Sequence, residues 1–294
     1  MTKPVVIVAE QVSESNPRRR FFRRLRKSNS AIIGAVLLVI IICLAIFAPI
    51  ISPYNPTLII SADRLMPPSN LHVFGTDDFG RDVFTRVLYG GQLSLVVGLV
   101  SVAVAAVTGS ILGMMAGYYG RLTDTLIMRL IDVMLAFPSI LLALVIVAIL
   151  GRGLFNVMLA VGISTIPLYA RIVRGSTLSV KAMEYVVAAQ AIGSSDLRIM
   201  SRHIFPNIIA PLIVITTNGV AGAIISSAAL SFLGLGAQPP TAEWGLMLSQ
   251  GRSFLRAATW VTTYPGIAIM VTVMAINLLG DGLRDVLDTR LRID

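Results

Sequence analysis

The sequence has one cysteine, two histidines and two tryptophans in 294 residues, and only 13% of its residues are charged. A lone Cys43 excludes a disulfide framework, and two histidines without companion cysteines leave a metal site short of ligands. Soluble domains carry about a quarter charged residues. The low charge, with 55% apolar residues and a mean hydropathy of +0.82, therefore points to a polytopic membrane protein. There is no GxxxxGK followed by Ser or Thr, so the chain is not expected to hydrolyse ATP. No Ser/His/Asp set, paired carboxylate or internal repeat is evident. The net charge of +9 sits at the edges of apolar segments, which suits lipid phosphates and topology rather than nucleic acid.

Six apolar runs are long enough for about 30 Å of hydrocarbon: Ala31–Ile51, Leu93–Tyr118, Leu126–Leu150, Leu154–Ile172, Ile208–Leu230 and Thr262–Leu279. The fourth is short, and Pro167 is expected to distort its cytoplasmic end. The first reads as an uncleaved anchor, because no small-residue cleavage site follows it. Cys43 within it is a small lipid-facing or packed residue. Eight basic residues precede it, and placing them inside puts eighteen of the 24 Lys and Arg on the cytoplasmic side. Both termini are then cytoplasmic. His72 falls outside and His203 inside, so the two cannot act together. The segments Ser52–Gln92 and Gly234–Val261 face outward.

Glu184–Pro206 (EYVVAAQAIGSSDLRIMSRHIFP) is a polar, basic island between two spans, with Arg198 and Arg202 inside it. Ala189 and Gly193 are four apart, on one helix face. Gly193 before Ser194, Ser195 and Asp196 reads as a helix stop and a new N-cap, with Asp196 capping a second helix to about His203. Pro206 closes the island. Spacing alone leaves two readings open: a docking helix–turn–helix, or a loop whose charges are solvated.

The island resembles the "EAA loop" of binding-protein-dependent ABC importers, the segment that docks into an ATPase. Val187, Ala188 and Ala189 align with E-A-A, Gly193 with the glycine, and His203, Phe205 and Pro206 with I-x-L-P. The acidic first position is Val187 here, so no salt bridge is assigned to it. Four further stretches are similar to the second permease subunit of dipeptide and oligopeptide systems: Phe74–Leu95, Met128–Gly151, Ser231–Arg252 and Asn277–Arg292. The resemblance covers about residues 30–292, in family order.

The resemblance implies an all-α fold with six transmembrane helices: a type I ABC importer permease core with one extra N-terminal helix. The expected division is a basic tail (1–30), an N-terminal span (31–51), an extracytoplasmic loop (52–92), a five-helix core (93–280) with the docking loop at 173–207, and a C-terminal tail (281–294). The implied partners are a homologous permease in a heterodimer, cytoplasmic ATPase subunits and an external solute-binding protein. No cofactor is expected on this chain; ATP and Mg would sit on the partners. ATPase coupling falls to Glu184, Val187, Ala188, Ala189, Gly193, Ser195, Asp196, Arg198, Arg202, His203, Phe205 and Pro206. The implied cargo is a short peptide, with glutathione, nickel, opines and oligosaccharides as the branch's other solutes.

The remaining motifs carry competing readings. Asp77, Asp78, Arg81 and Asp82 suit a folded cap over the second span better than a peptide site. Pro239 and Pro240 suit a stiff receptor-side or re-entry loop. Trp244 reads as an interfacial anchor ahead of a receptor contact. Arg129 and Asp132 read as a local ion pair or a snorkelling Arg, ahead of ion transport. Thr217, Asn218, Gly222 and Ser226 line either a helix-packing seam or the pathway, with Asn218 turned to the interior. An ion-coupled transporter would need unpaired acids at mid-membrane, and the spans contain none. A scaffold for soluble partners would leave the organised outer loops unexplained.

Overall fold

The computed structural model describes residues 28–287, all helix and connecting turns apart from one isolated β-bridge between Thr76 and Asp82. Helix α1 (Asn29–Ile46) starts at Ser28, whose hydroxyl accepts from the Ala31 N–H at 3.4 Å. It continues as a single turn, α2 (Ala48–Ile51). Cys43 is on its exposed side. Of the expected tails 1–30 and 281–294, residues 1–27 and 288–294 lie outside the described residues. The remainder is helical, 29–30 opening α1 and 281–287 continuing the last helix.

Helix α3 runs unbroken from Val83 to Tyr119, ten residues earlier than its apolar run suggests. Asp82 is the cause: its carboxylate accepts from the Thr85 N–H at 2.7 Å, which satisfies a donor that the helix start would otherwise leave orphaned. The extra turns are buried in protein rather than lipid, so they need no apolar run. The predicted outer loop therefore ends at Asp82.

The apolar run at 126–150 does not form one straight span. It is two helices, α4 (Arg121–Leu135) and α5 (Ser139–Leu150), bent by 92°. Pro138 has no N–H and restricts Phe137 to extended backbone, so the helix cannot run through. Helix α6 (Leu154–Lys181), by contrast, continues past Pro167 and well beyond Ile172. Pro167 is buried within it and ends nothing.

Helices α7 (Glu184–Ala191) and α8 (Asp196–Ile199) follow. A π-helical turn, Met200–Ile204, then leads into α9 (Phe205–Phe232). The predicted stop at Pro206 is absent. Pro206 occupies the first turn of α9, and the widened turn, in which the Phe205 N–H reaches back to the Met200 carbonyl, accommodates its missing donor and bulky ring. Helices α10 (Trp244–Gly251) and α11 (Trp260–Leu287) complete the described residues. Among the described residues, five helical segments have the length and apolarity to cross a membrane, six if the bent pair counts as one span.

Small residues set the packing. On α3, Gly109, Gly113 and Gly117 form a ladder at four-residue spacing. A Cβ at Gly109 would lie 2.5 Å from the Tyr169 Cβ, and one at Gly117 would lie 2.8 Å from the Thr177 Cβ. Only glycine lets α3 and α6 approach this closely. Gly34 does the same for α1 against Ala275 and Leu279 of α11. Val102, Ala105, Val157, Ala160 and Tyr169 fill the core between α3 and α6.

Candidate functional site

The α7–α8 element lies at one end of α3, and the cap formed by residues 52–82 lies at the other. At the first end, Gly193 has φ +79° and nothing within 4 Å of a Cβ. Its role is conformational: it makes the left-handed turn between the two helices without strain. Ser195, not Asp196, is the N-cap residue of α8, and its side chain makes no capping bond. The Asp196 carboxylate instead accepts from the Tyr118 hydroxyl at 2.7 Å, while Lys181 Nζ donates to the Tyr118 carbonyl at 2.5 Å.

The element turns two faces in different directions. Val186, Ala189, Ile199, Met200 and Ile204 are buried against Tyr118 and Val173. Ala189 therefore packs inside this chain and does not share an outward face with Gly193. The outward surface presents Ile192, 83% exposed, and Leu197, 73% exposed, with half-exposed Tyr185 and Val187. Glu184, Ala188, Arg198, Arg202, Phe205 and Pro206 are also exposed, and His203 is half-buried. Ile192 and Leu197 carry no motif signature. Their signal is that large apolar residues sit in a polar segment with no place in the buried face.

The opposite end is a compact cap. Arg81 pairs with Asp77 at 2.7 Å, and Asp77 also accepts from the Phe79 and Arg81 N–H groups. His72 Nδ1 lies 3.0 Å from Asp82 Oδ2. Burial, followed by the neighbouring Asp77 charge, raises the pKa of Asp78, and Arg81 opposes that shift. Asp77, Arg81 and Asp82 are at most 4% exposed. They are satisfied within the cap and offer no surface to a receptor.

Trp244 is not an interfacial anchor. Only 2% of it is exposed. Its Nε1–H donates to the Val87 carbonyl at 2.9 Å, and its ring lies where side chains on Gly90 and Gly91 would be. Beside it, the buried Glu243 carboxylate accepts from the Gly245 and Leu246 N–H groups and starts α10. Burial raises its pKa against those two bonds. Pro239 and Pro240 remain exposed at the tip of this loop.

Arg86 carries no sequence signal beyond lying in the Phe74–Leu95 stretch. It is 1% exposed. Its Nη1 donates to the Pro56 carbonyl at 2.8 Å and the Pro240 carbonyl at 3.3 Å, and Nη2 donates to the Thr241 carbonyl at 3.3 Å. One buried guanidinium thus holds two loops far apart in sequence.

On α9, Asn218 and Gly222 are exposed, and Thr217 and Ser226 are half-buried. Asn218 lies against Gly280 of α11 rather than in the interior of this chain. Asp132 pairs with Arg171 of α6 at 2.7 Å rather than with Arg129; its neighbour Ile131 is buried against Ile166 and Ala170 of the same helix.

Residues 109–293 match the family described as binding-protein-dependent transport system inner membrane component. Residues 16–68 match the N-terminal transmembrane domain of oligopeptide transport permease C. A dipeptide transport system permease protein of Alkalihalophilus pseudofirmus is 47% identical over 283 residues, 96% of this chain and 93% of that protein. A putative peptide transport system permease protein of Brucella suis is 49% identical over 272 residues, 92% of each. A glutathione transport system permease protein of Pectobacterium atrosepticum is 44% identical over 292 residues, 99% of this chain and 96% of that one. In fold, a chain of the MetNI methionine ABC transporter, in an inward-facing conformation, superposes with a TM-score of 0.56 at 19% identity. The match covers 68% of this chain and 96% of that one. The chain belongs to the binding-protein-dependent transport system inner membrane components, as a permease subunit of the peptide branch of the ABC importers.

Proposed function

We propose that this permease pairs with a second permease, binds ATPase subunits through α7–α8, and receives short peptides from an external solute-binding protein. The exposed Ile192 and Leu197 beside the Gly193 turn carry this reading. Two apolar side chains held in water on a rigid element are a surface for a protein partner. The bias of Lys and Arg puts that end, and both termini, in the cytoplasm, where ATP is available. The chain binds no cofactor; ATP and Mg belong to the partner ATPases, and the chain's own part is to move. For ATP to drive it, the ATP-bound partners must bind its outward-open form more tightly than its inward-open form.

Relatives named for dipeptides, peptides and glutathione share 44–49% identity with this chain. Glutathione is the second cargo to test. In proteoliposomes carrying both permeases and the ATPases, with the solute-binding protein outside, uptake of a labelled dipeptide should require ATP within. Uptake driven by an ion gradient without ATP would overturn this reading in favour of a secondary transporter.

A further inference from the structure

Both ends of α3 are fastened to loops. At the first turn, buried Arg86 holds the Pro56 carbonyl and the 240–241 carbonyls. Pro56 and Pro240 accept from the same nitrogen, so the segment carrying exposed Leu58 and Ile59 borders the turn carrying exposed Pro239 and Pro240. Asp77 adds a carboxylate 3.5 Å from Arg86 Nε. At the last turn, the Tyr118 hydroxyl reaches Asp196 at the start of α8. The helix itself is 37 residues without a proline or a break, about 55 Å end to end at the usual helical rise. The Gly109, Gly113 and Gly117 ladder packs its last three turns closely against α6.

We infer that α3 is a transmission rod between the two loop systems, with Arg86 and Tyr118 as its positioning residues. The external solute-binding protein, docking on Leu58, Ile59, Pro239 and Pro240, presses on Arg86. Because packed helices slide or tilt rather than bend, the displacement arrives at Tyr118 and moves Asp196 with α8. The same path runs in reverse when ATPases move α7–α8. This rests on the importer reading above.

The test uses the complete complex in nanodiscs, in a Cys43→Ala background, with a spin label on Gln238→Cys. The probe is Mg-ATP with orthovanadate, which traps the ATPases. In the native complex the label's mobility should change on trapping. Tyr118→Phe deletes only the hydroxyl. Arg86→Lys keeps the charge but loses the planar fork that spans three carbonyls. Each should cut the response by about fivefold or more, the lower range of ordinary coupling between sites. Since the two act in series, the double variant should be no worse than the more severe single one; independent structural roles would instead multiply.

A response retained in either single variant, or multiplied losses in the double, would overturn the rod. So would failure of both Tyr118→Phe and Arg86→Lys to assemble, which would make the two residues folding elements. A native complex that imports peptide without any change at Gln238 also removes the rod and leaves the importer reading intact. A native complex showing neither import nor change removes both.

Discussion

Arg174 and Asp124 meet in a two-point ion pair, Nε to Oδ1 at 2.5 Å and Nη2 to Oδ2 at 2.6 Å. Fifty residues separate them, and the pair ties α4 to α6 beside the apolar contact of Ile131 with Ile166 and Ala170. Arg171 and Asp132 form a second link at 2.7 Å, but both side chains are more than half exposed.

Exposure should rank the two links. Asp124→Asn breaks the less exposed, forked pair and should cost about 1 kcal/mol, the upper range for partly screened pairs. Asp132→Asn should cost nothing measurable. Thermal unfolding of the purified complex in one detergent checks both. Equal loss from the two variants would show that the fork geometry contributes nothing.

The docking surface can be separated from the fold. Ile192→Glu and Leu197→Glu put charge on side chains that touch almost nothing in this chain. The permease should insert and unfold as before while co-purification of the ATPase subunits falls by roughly tenfold, about 1.4 kcal/mol of lost contact. Gly193→Glu should add strain to the same effect, because its φ lies in the left-handed region. Unchanged ATPase retention in all three would place docking elsewhere.

Glycines on two faces should behave differently. Gly113→Leu drives a side chain into the Ala170 carbonyl and the Arg174 N–H, and should reduce assembled protein severely through overpacking of about 1–3 kcal/mol or more. Gly222→Leu meets nothing within 4 Å in this chain, so assembly of the isolated subunit should be spared. If that face of α9 borders the partner permease or the pathway, ATP-dependent uptake should still fall. Uptake and assembly both at native level for Gly222→Leu would remove that face from the pathway.

Topology is checked by thiol labelling in a Cys43→Ala background. A cysteine replacing exposed Ser61 should react with an impermeant reagent added outside intact cells, and one replacing Ser15 should not. The reverse pattern would invert the chain and separate the α7–α8 element from cytoplasmic ATP.

The sequence by itself determined the membrane class, the number of apolar runs and the family. These depend on composition and on ordered motifs, which survive without knowing any contact. It also marked the Gly193 turn, because a helix stop is encoded locally by glycine followed by a polar cap.

Tertiary structure decided which side of each motif is available. Ala189 and Trp244 sit in family-like stretches but are buried, because their partners, Tyr118 and Val87, come from α3, far away in sequence. Arg86 looked like one more loop cation until the fold brought Pro56 and Pro240 to a single nitrogen. Helix α3 begins before its apolar run because Asp82 supplies a cap and the 52–82 segment supplies cover, and hydropathy registers neither. The break at Pro138 and the continuity through Pro167 and Pro206 show the same limit. One missing N–H ends a helix where nothing packs around it, and is accommodated where buried neighbours or a π-helical turn hold the backbone in place.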